Sequence, residues 1–305
     1  MLNSPIRFKP GTLWDTIVER AQSALACGAL QPIATENRTV VDGGVHFEIR
    51  VVSSLARKVA KGLGRWPTKT MAQGATNPFL PYEKELFVAD ISDSHLCLLN
   101  KYNVIDHHVL IVTRAFEPQE SLLTRRDFEA LWSCMAEFDA LGFYNSGPNA
   151  GASQRHKHLQ LVPLPLTSTT SDIATSVLFG SPTTAGEPTR VASLPFVHAF
   201  AWLDPLQTAT PATRAANSYG LYLKLLRAVD MDAVGTQPEP YNLLITRRFM
   251  LLVPRRLERF ETVAVNALGF AGSFFVARQE SLDVIVRIGP MALLRQVAYP
   301  INASE

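Results

Sequence analysis

The chain has 305 residues, 47% of them apolar and 18% charged, with a net charge of +2 at pH 7. That balance suits a soluble globular protein and gives no electrostatic reason to expect a nucleic-acid or membrane partner. Cys27, Cys97 and Cys134 form no CxxC pair, the start has no apolar leader core, and no stretch reaches the roughly 18 apolar residues of a membrane helix, so a reducing, cytoplasmic setting is expected.

In chain order, the first expected element is a helix over 12–26. Thr12 and Asp15 have capping-box spacing, and Leu13, Trp14, Ile17, Val18, Ala21 and Leu25 share one face. "GGVHFEIRVVSSLARK" (43–58) reads as a strand entering a polar turn, and 65–85 as a long irregular connection rich in Gly, Pro and Asn. "SHLCLLNKYNV" and "HHVLIVTR" read as an antiparallel hairpin with a short turn. The strongest helix signal follows: Thr124 and Asp127 form a capping-box pair ahead of Phe128, Leu131, Trp132, Met135 and Phe138 at helical period. "NSGPNAGAS" is a turn-rich loop and "QRHKHLQLVPL" a strand. From 166 to 217 the composition turns to Thr, Ser, Ala and Pro, read as a mobile insertion broken by the apolar "VASLPFVHAFAWL".

The C-terminal part repeats the middle imperfectly. "VLIVTR" (109–114) has a partner in "MLLVPR" (250–255), "NSGPNAG" (145–151) in "NALGFAG" (266–272), and "HLCLLN" (95–100) in "PYNLLIT" (240–246). The second copy has "SFFVAR" where the first has "SQRHKHLQ", and its strand-to-loop link is too short for a helix. The expected architecture is one domain over 1–305. A catalytic half-repeat spans about 86–165, the insertion about 166–217, and a degenerate half-repeat about 218–300 completes the core or the cleft.

"GASQRHKHLQ" (151–160) carries the chemistry. On an extended strand His156, His158 and Gln160 share one face, and Lys157, Leu159 and Leu161 the other. Gly151, Ala152 and Ser153 let backbone approach a ligand and offer N–H groups for an anion. Three readings compete. The histidines could be a hydrogen-bonded surface pair, or two zinc ligands, although no Cys cluster or HExxH accompanies them and only one of His107 and His108 could face the same way. In the third, a neutral imidazole attacks phosphorus with one ring nitrogen while an acceptor holds the proton on the other. Ser153, the small-residue nest and Gln160 are then suitable donors for the phosphoryl oxygens.

With these residues the sequence resembles the histidine-triad superfamily, in its His-x-His-x-Gln branch. "NSGPNAGASQRHKHLQ", "LLNKYNVIDHHVLIVTR" and "YNLLITRRFMLLVPR…NALGFAG" are similar to diadenosine tetraphosphate phosphorylases (ATP adenylyltransferases). The likeness covers the middle and C-terminal thirds and hardly touches the first 40 residues. It implies an α+β fold, a histidine-triad-like antiparallel sheet with helices. It also implies phosphorolysis of diadenosine tetraphosphate to ATP and ADP through an adenylyl-histidine. His158 would be the nucleophile, His156 would order the site and Gln160 would hold the phosphate. Asn145, Gly151, Ala152, Ser153 and Gln154 would line the phosphate site, and Asn100 stands where the superfamily keeps an acidic ribose-binding residue. His108 would support the active strand. Lys58 would reach the polyphosphate, with Lys61 competing for that role, and one arginine of "TRRFMLLVPRR" would face the phosphates. Asn77 is a candidate in the substrate loop. Magnesium would arrive with the nucleotide, with no metal site of the chain's own and no organic cofactor. The partners expected are small nucleotides and phosphate, the assembly a monomer or dimer, and adenosine phosphosulfate a further substrate. A hexose-1-phosphate uridylyltransferase shares His-x-His-x-Gln. A histidine-triad hydrolase would use water and usually has a third histidine at the Gln160 position. A nucleotide-binding regulator would bind without turnover.

Overall fold

The computed structural model describes residues 6–53, 77–167, 170, 172–182, 184–204, 210–231 and 239–301. Helix α1 (Leu13–Ala26) buries Leu13, Ile17, Ala21 and Ala24, while Leu25 of the expected apolar face is exposed. Thr12 is its N-cap residue but makes no side-chain cap, so the expected box with Asp15 does not form. The Glu137 carboxylate takes that place, accepting from the Gly11 and Leu13 amides at 2.8 and 3.2 Å. Strands β1 (Thr35–Asp42) and β2 (Val45–Val52) form a hairpin across Gly43 and Gly44. β1 had no counterpart in the reading of the sequence, because its polar, exposed residues carry no alternation of burial.

Strands β3 (Phe87–Asp90), β4 (His95–Leu99) and β5 (Val109–Thr113) follow; β4 and β5 pair as the expected hairpin, but through the longer connection 100–108 and not a short turn. Helix α2 (Arg125–Met135) starts with the complete capping box of Thr124 and Asp127. Next come β6 (Ala140–Asn145), β7 (His158–Pro163), β8 (Ala199–Trp202), helix α3 (Pro211–Ala228), β9 (Tyr241–Ile245) and β10 (Phe249–Pro254). After the short strands β11 (Arg259–Phe260) and β12 (Val263–Ala264), the chain forms α4 (Ala267–Phe270), β13 (Ser273–Val276), α5 (Gln279–Ile288) and α6 (Pro290–Val297).

The main sheet is antiparallel throughout, in the order β3-β4-β5-β7-β6-β9-β10-β8. The pseudo-repeat is visible in it. Hairpin β9–β10 mirrors β4–β5, and the loops 145–151 and 266–272 each end in a glycine at φ +92°, Gly151 and Gly272. An ordinary side chain strains in that left-handed region, which accounts for both glycines. The copies then part. β7 inserts between β5 and β6, whereas β13 leaves the main sheet to pair in parallel with β2. The edge of β10 is filled by β8, which comes from the 166–217 stretch, and α3 starts inside that stretch and runs past its expected end.

The faces of the sheet follow strict alternation. One face carries Cys97, Ile111, Tyr144, Leu159, Leu161, Leu243 and Leu252 against α1, α2 and α3. The other carries Phe143, Val162, Leu244 and Leu251 under β2 and the C-terminal helices, and Leu96, Leu98, Leu110 and Val112 under Phe79. The seam between these two groups, over β5, β7 and β6, is where His158 and Gln160 emerge: His158 pairs with Val112, and Gln160 with both Leu110 and Phe143.

Candidate active site

Because β7 alternates, the residue before His158 points the opposite way, into the helix layer. Lys157 is fully buried, its ammonium 2.8 Å from Asp127, 3.1 Å from Glu117 and 3.0 Å from the Leu122 carbonyl. Asp127 also accepts from His95 Nε2 at 3.0 Å and from the Thr124 amide and hydroxyl. Burial alone would raise the Asp127 carboxyl, but His95 and Lys157 outweigh it and hold it well below the usual carboxylate range. The capping box of α2 is thereby tied to the histidine strand. Lys157→Met would leave Asp127 ionised and short of its cation, a loss of about 3–5 kcal/mol in urea unfolding. The double variant Lys157→Met, Asp127→Asn should recover most of it.

On the other face, each imidazole has one assigned proton. His158 Nδ1 lies 2.8 Å from the His156 carbonyl oxygen, which only accepts, so Nδ1 carries the hydrogen and the Nε2 lone pair is free. Burial pushes the His158 pKa down to about 4, with a further push from His156 against the opposing pull of its carbonyl partner. The ring is therefore neutral at pH 7. His156 Nε2–H donates to the Thr113 carbonyl at 2.7 Å, close to the Thr113 hydroxyl, and Nδ1 accepts from Asn77 Nδ2 at 3.0 Å. Asn77 Oδ1 is itself held by the Phe79 amide at 2.9 Å, which fixes that amide's orientation. Phe79 packs on both rings, 5.6 Å from His156 and 5.4 Å from His158 between centroids.

A second chain of bonds sets Gln160. Asn100 Oδ1 accepts from the Tyr102 amide at 3.4 Å, so its Nδ2 donates to His108 Nδ1 at 3.0 Å. His108 Nε2–H then donates to Gln160 Oε1 at 3.0 Å. With its oxygen engaged, the Gln160 NH2 makes no hydrogen bond among the described residues and is available to a ligand. His108 is buried, and burial brings its pKa down to about 4 even though its Gln160 bond favours the charged form.

Asn145 is organised in the same way from the other half-repeat. Its Oδ1 accepts from Asn242 Nδ2 at 2.8 Å and the Ala267 amide at 2.9 Å, leaving its NH2 as donor. Asn242 also donates to the Ala150 carbonyl at 2.8 Å, and its oxygen accepts from Arg255 at 2.5 Å. Arg255 is buried with no carboxylate bonded to it among the described residues, donating to the carbonyls of Ala150, Val265, Leu257, Glu258 and Val297. Burial pulls its pKa down to about 9, against the pull of Glu258. A Cβ on Gly151 would lie 2.7 Å from the Val265 carbonyl and 2.8 Å from Asn266 Cα, so the two pseudo-equivalent loops touch backbone to backbone. The second copy thus holds the loop of the first.

The expected site residues fall as follows. His156, His158, Gln160, His108, Asn100 and Asn77 form two hydrogen-bonded chains, Asn100 with its amide turned to His108. Asn145, Gly151 and Ala152 form the loop beside them, the Ala152 amide bonded to Gly147 at 3.1 Å. The amides of Ser153 and Gln154 make no hydrogen bond among the described residues. Lys58 and Lys61 lie outside the described residues. Of the "TRRFMLLVPRR" arginines, Arg247 donates to Met135 and Ala136 carbonyls at the end of α2, Arg248 stacks on Trp202, Arg256 donates to the Gln296 carbonyl, and Arg255 sits behind the loop. The reading of the sequence missed Asn242, Thr113 and Lys157. For Lys157 there was a signal, since alternation placed it on the Leu159 and Leu161 face; for Asn242 and Thr113 there was none.

His108 and His158 bind protons less readily in the fold, near pH 4, than at the ordinary value of 6.5. The unfolded chain therefore takes up the extra protons as pH falls. Their contribution to stability is complete above about pH 6.5 and is lost as pH drops toward 4, by up to about 3 kcal/mol per ring. The urea midpoint should fall between pH 7.5 and pH 5, and fall less in a His108→Asn variant.

A neutral imidazole with a fixed tautomer, on a strand beside two carboxamides whose NH2 groups are left as donors and a glycine-bearing loop, is chemically suited to attack on a phosphoryl group. Comparison with known proteins agrees. Residues 3–181 match the family model of the Ap4A phosphorylase N-terminal domain, and 192–300 that of the ATP adenylyltransferase C-terminal domain. The chain is 26% identical over 292 residues to Protein APA1 of Saccharomyces cerevisiae, covering 90% of each. It is 26% identical over 231 residues to diadenosine 5',5'''-P1,P4-tetraphosphate phosphorylase 2 of the same yeast, covering 68% of this chain and 71% of that one. The crystal structure of yeast Ap4A phosphorylase Apa2 in complex with Ap4A superposes with a TM-score of 0.75 at 22% identity, covering 97% of this chain and 100% of that one.

Proposed function

The chain belongs to the Ap4A phosphorylase family, and from that premise we propose that it cleaves diadenosine tetraphosphate with inorganic phosphate, giving ATP and ADP through an adenylyl group carried on His158. The observation that carries this reading is the bond from His158 Nδ1–H to the carbonyl of His156, which leaves Nε2 with its lone pair at neutral pH.

In the first step Nε2 attacks the α-phosphorus, forming an N–P bond as the bridging P–O bond breaks and ATP leaves. In the second, an oxygen of inorganic phosphate attacks the same phosphorus, the N–P bond breaks and ADP leaves. As the ring becomes positively charged on attack, the His156 carbonyl offsets that charge through Nδ1–H. The NH2 groups of Gln160 and Asn145, with the free amides of Ser153 and Gln154, would meet the non-bridging oxygens, where charge accumulates. Gln160 does not titrate, so no proton is delivered from that position. Lys58 is proposed for the leaving polyphosphate. Magnesium would travel on the substrate's phosphates, where it offsets charge on the leaving group.

The test is turnover of diadenosine tetraphosphate with magnesium, with and without inorganic phosphate, the products separated by chromatography. ATP with ADP appearing only when phosphate is present is the expected result. Cleavage by water alone would make the protein a hydrolase, and binding without cleavage a nucleotide-binding regulator.

A further inference from the structure

Strands β6 and β7 are paired in constant register from Ala140 with Pro163 to Phe143 with Gln160. Continued, that register would set Asn145 opposite His158, and the ladder stops short of them. The side chain of Gln119, from the segment between β5 and α2, lies in the gap. Its Oε1 accepts from the His158 amide at 2.8 Å, and its Nε2 donates to the Asn145 carbonyl at 2.9 Å and the His158 carbonyl at 3.2 Å. One carboxamide therefore stands where the two strands would otherwise bond directly.

The wedge is itself held firmly. Gln119 is fully buried, its amide donates to the Arg155 carbonyl at 2.8 Å, and its carbonyl accepts from the Tyr144 hydroxyl. The Lys157 amide donates to Glu117 at 2.8 Å, so the 117–119 segment runs as a short antiparallel bridge along 155–157. Nothing in its chemistry calls for a glutamine on a purely structural ground, since direct pairing of His158 with Asn145 would satisfy the same backbone groups.

We propose that Gln119 is a positioning residue for adenylyl transfer: it splays β6 from β7 at the nucleophile, fixing the His158 backbone while opening room between His158 and the Asn145 loop for a phosphoryl group. This rests on the phosphorylase reading above. Without the carboxamide the His158 amide and carbonyl and the Asn145 carbonyl lose their shared partner, the strand ends shift to find others, and the His158 ring moves out of position. The Asn145 side chain keeps its anchors on Asn242 and Ala267, so nucleotide binding survives better than transfer.

Two variants and two measurements test it. Gln119→Leu keeps the volume and removes both donor and acceptor. Single-turnover adenylylation of the protein should slow by about 100-fold, the scale of an ångström-sized misplacement, while AMP affinity changes by less than about threefold. Gln119→Glu keeps the acceptor but, as a carboxylate, faces two carbonyl oxygens. Its neutral acid restores a donor, so its rate relative to the unsubstituted protein should rise about tenfold or more from pH 8 to pH 5.5. The other ionisable groups at the wedge are His158, neutral above about pH 4 through burial, and Tyr144, whose phenol burial keeps protonated; Glu117 is turned to Lys157. The second measurement needs no substrate. The 15N spectrum of the imidazoles should show His158 as a single Nδ1–H tautomer, and as a mixture in Gln119→Leu. Should the leucine variant fail to fold, the pH profile of Gln119→Glu decides. Transfer within threefold of the unsubstituted rate in the leucine variant, a glutamate profile parallel to the unsubstituted one, or an unchanged His158 tautomer overturns the proposal. Absence of adenylyl transfer in the unsubstituted protein would overturn the phosphorylase reading instead, and the imidazole spectrum would still judge the wedge.

Discussion

His158→Ala is expected to lower phosphorolysis of diadenosine tetraphosphate by about 10⁴-fold or more, the scale of losing a covalent nucleophile. The other groups of the site stay in place. Gln160 is still set by His108, and Asn145 by Asn242 and Ala267, so AMP should bind with affinity close to that of the unsubstituted protein. The substitution removes a neutral buried ring whose one side-chain hydrogen bond among the described residues is to the His156 carbonyl. The stability cost is therefore a modest cavity and one lost bond, and the circular dichroism spectrum should be retained. A variant rate within tenfold of the unsubstituted one would rule out His158 as nucleophile. His156 offers no substitute, because both its nitrogens are engaged, with Thr113 and with Asn77.

Gln160→Leu carries the second large effect, a fall in kcat of about 10²–10³, the range for losing one preorganised donor to a developing oxyanion. The His108 Nε2–H would also lose its acceptor. Gln160→Glu separates these contributions. A carboxylate still accepts from His108 but sets a negative charge where the phosphoryl group carries its own. It should therefore be slower than the leucine variant, with the deficit shrinking at high ionic strength. Steady-state rates of the two at low and high salt check the order. A glutamate variant faster than leucine would mean that Gln160 acts through His108 and not by donating to phosphate.

Much of this site was legible because its chemistry is local. A period of two residues put His156, His158 and Gln160 on one face and Lys157 on the other. The capping box at Thr124 and Asp127 fixed α2, while the same spacing at Thr12 and Asp15 did not form a cap. There a carboxylate distant in sequence, Glu137, does the work, and spacing carries no information about it. The repeat was visible as three short matches, but its consequence was not. That Asn242 and Arg255 turn the Asn145 amide outward depends on two loops meeting across the sheet. Gln119 was silent for the same reason: its carboxamide matters only because a strand register ends beside it. Strands β1, β3 and β8 escaped because polar edge residues or brief apolar runs lack a strong period.

The most direct test of the central claim is to quench the protein with diadenosine tetraphosphate and magnesium in the absence of phosphate, digest it, and map adenylylated peptides by mass spectrometry under conditions that spare phosphoramidates. One adenylyl group on the peptide carrying His158, discharged to ADP when phosphate is added, is the result expected. Phosphate-dependent formation of ATP and ADP with no adenylylated peptide, or with the group on another residue, would contradict it.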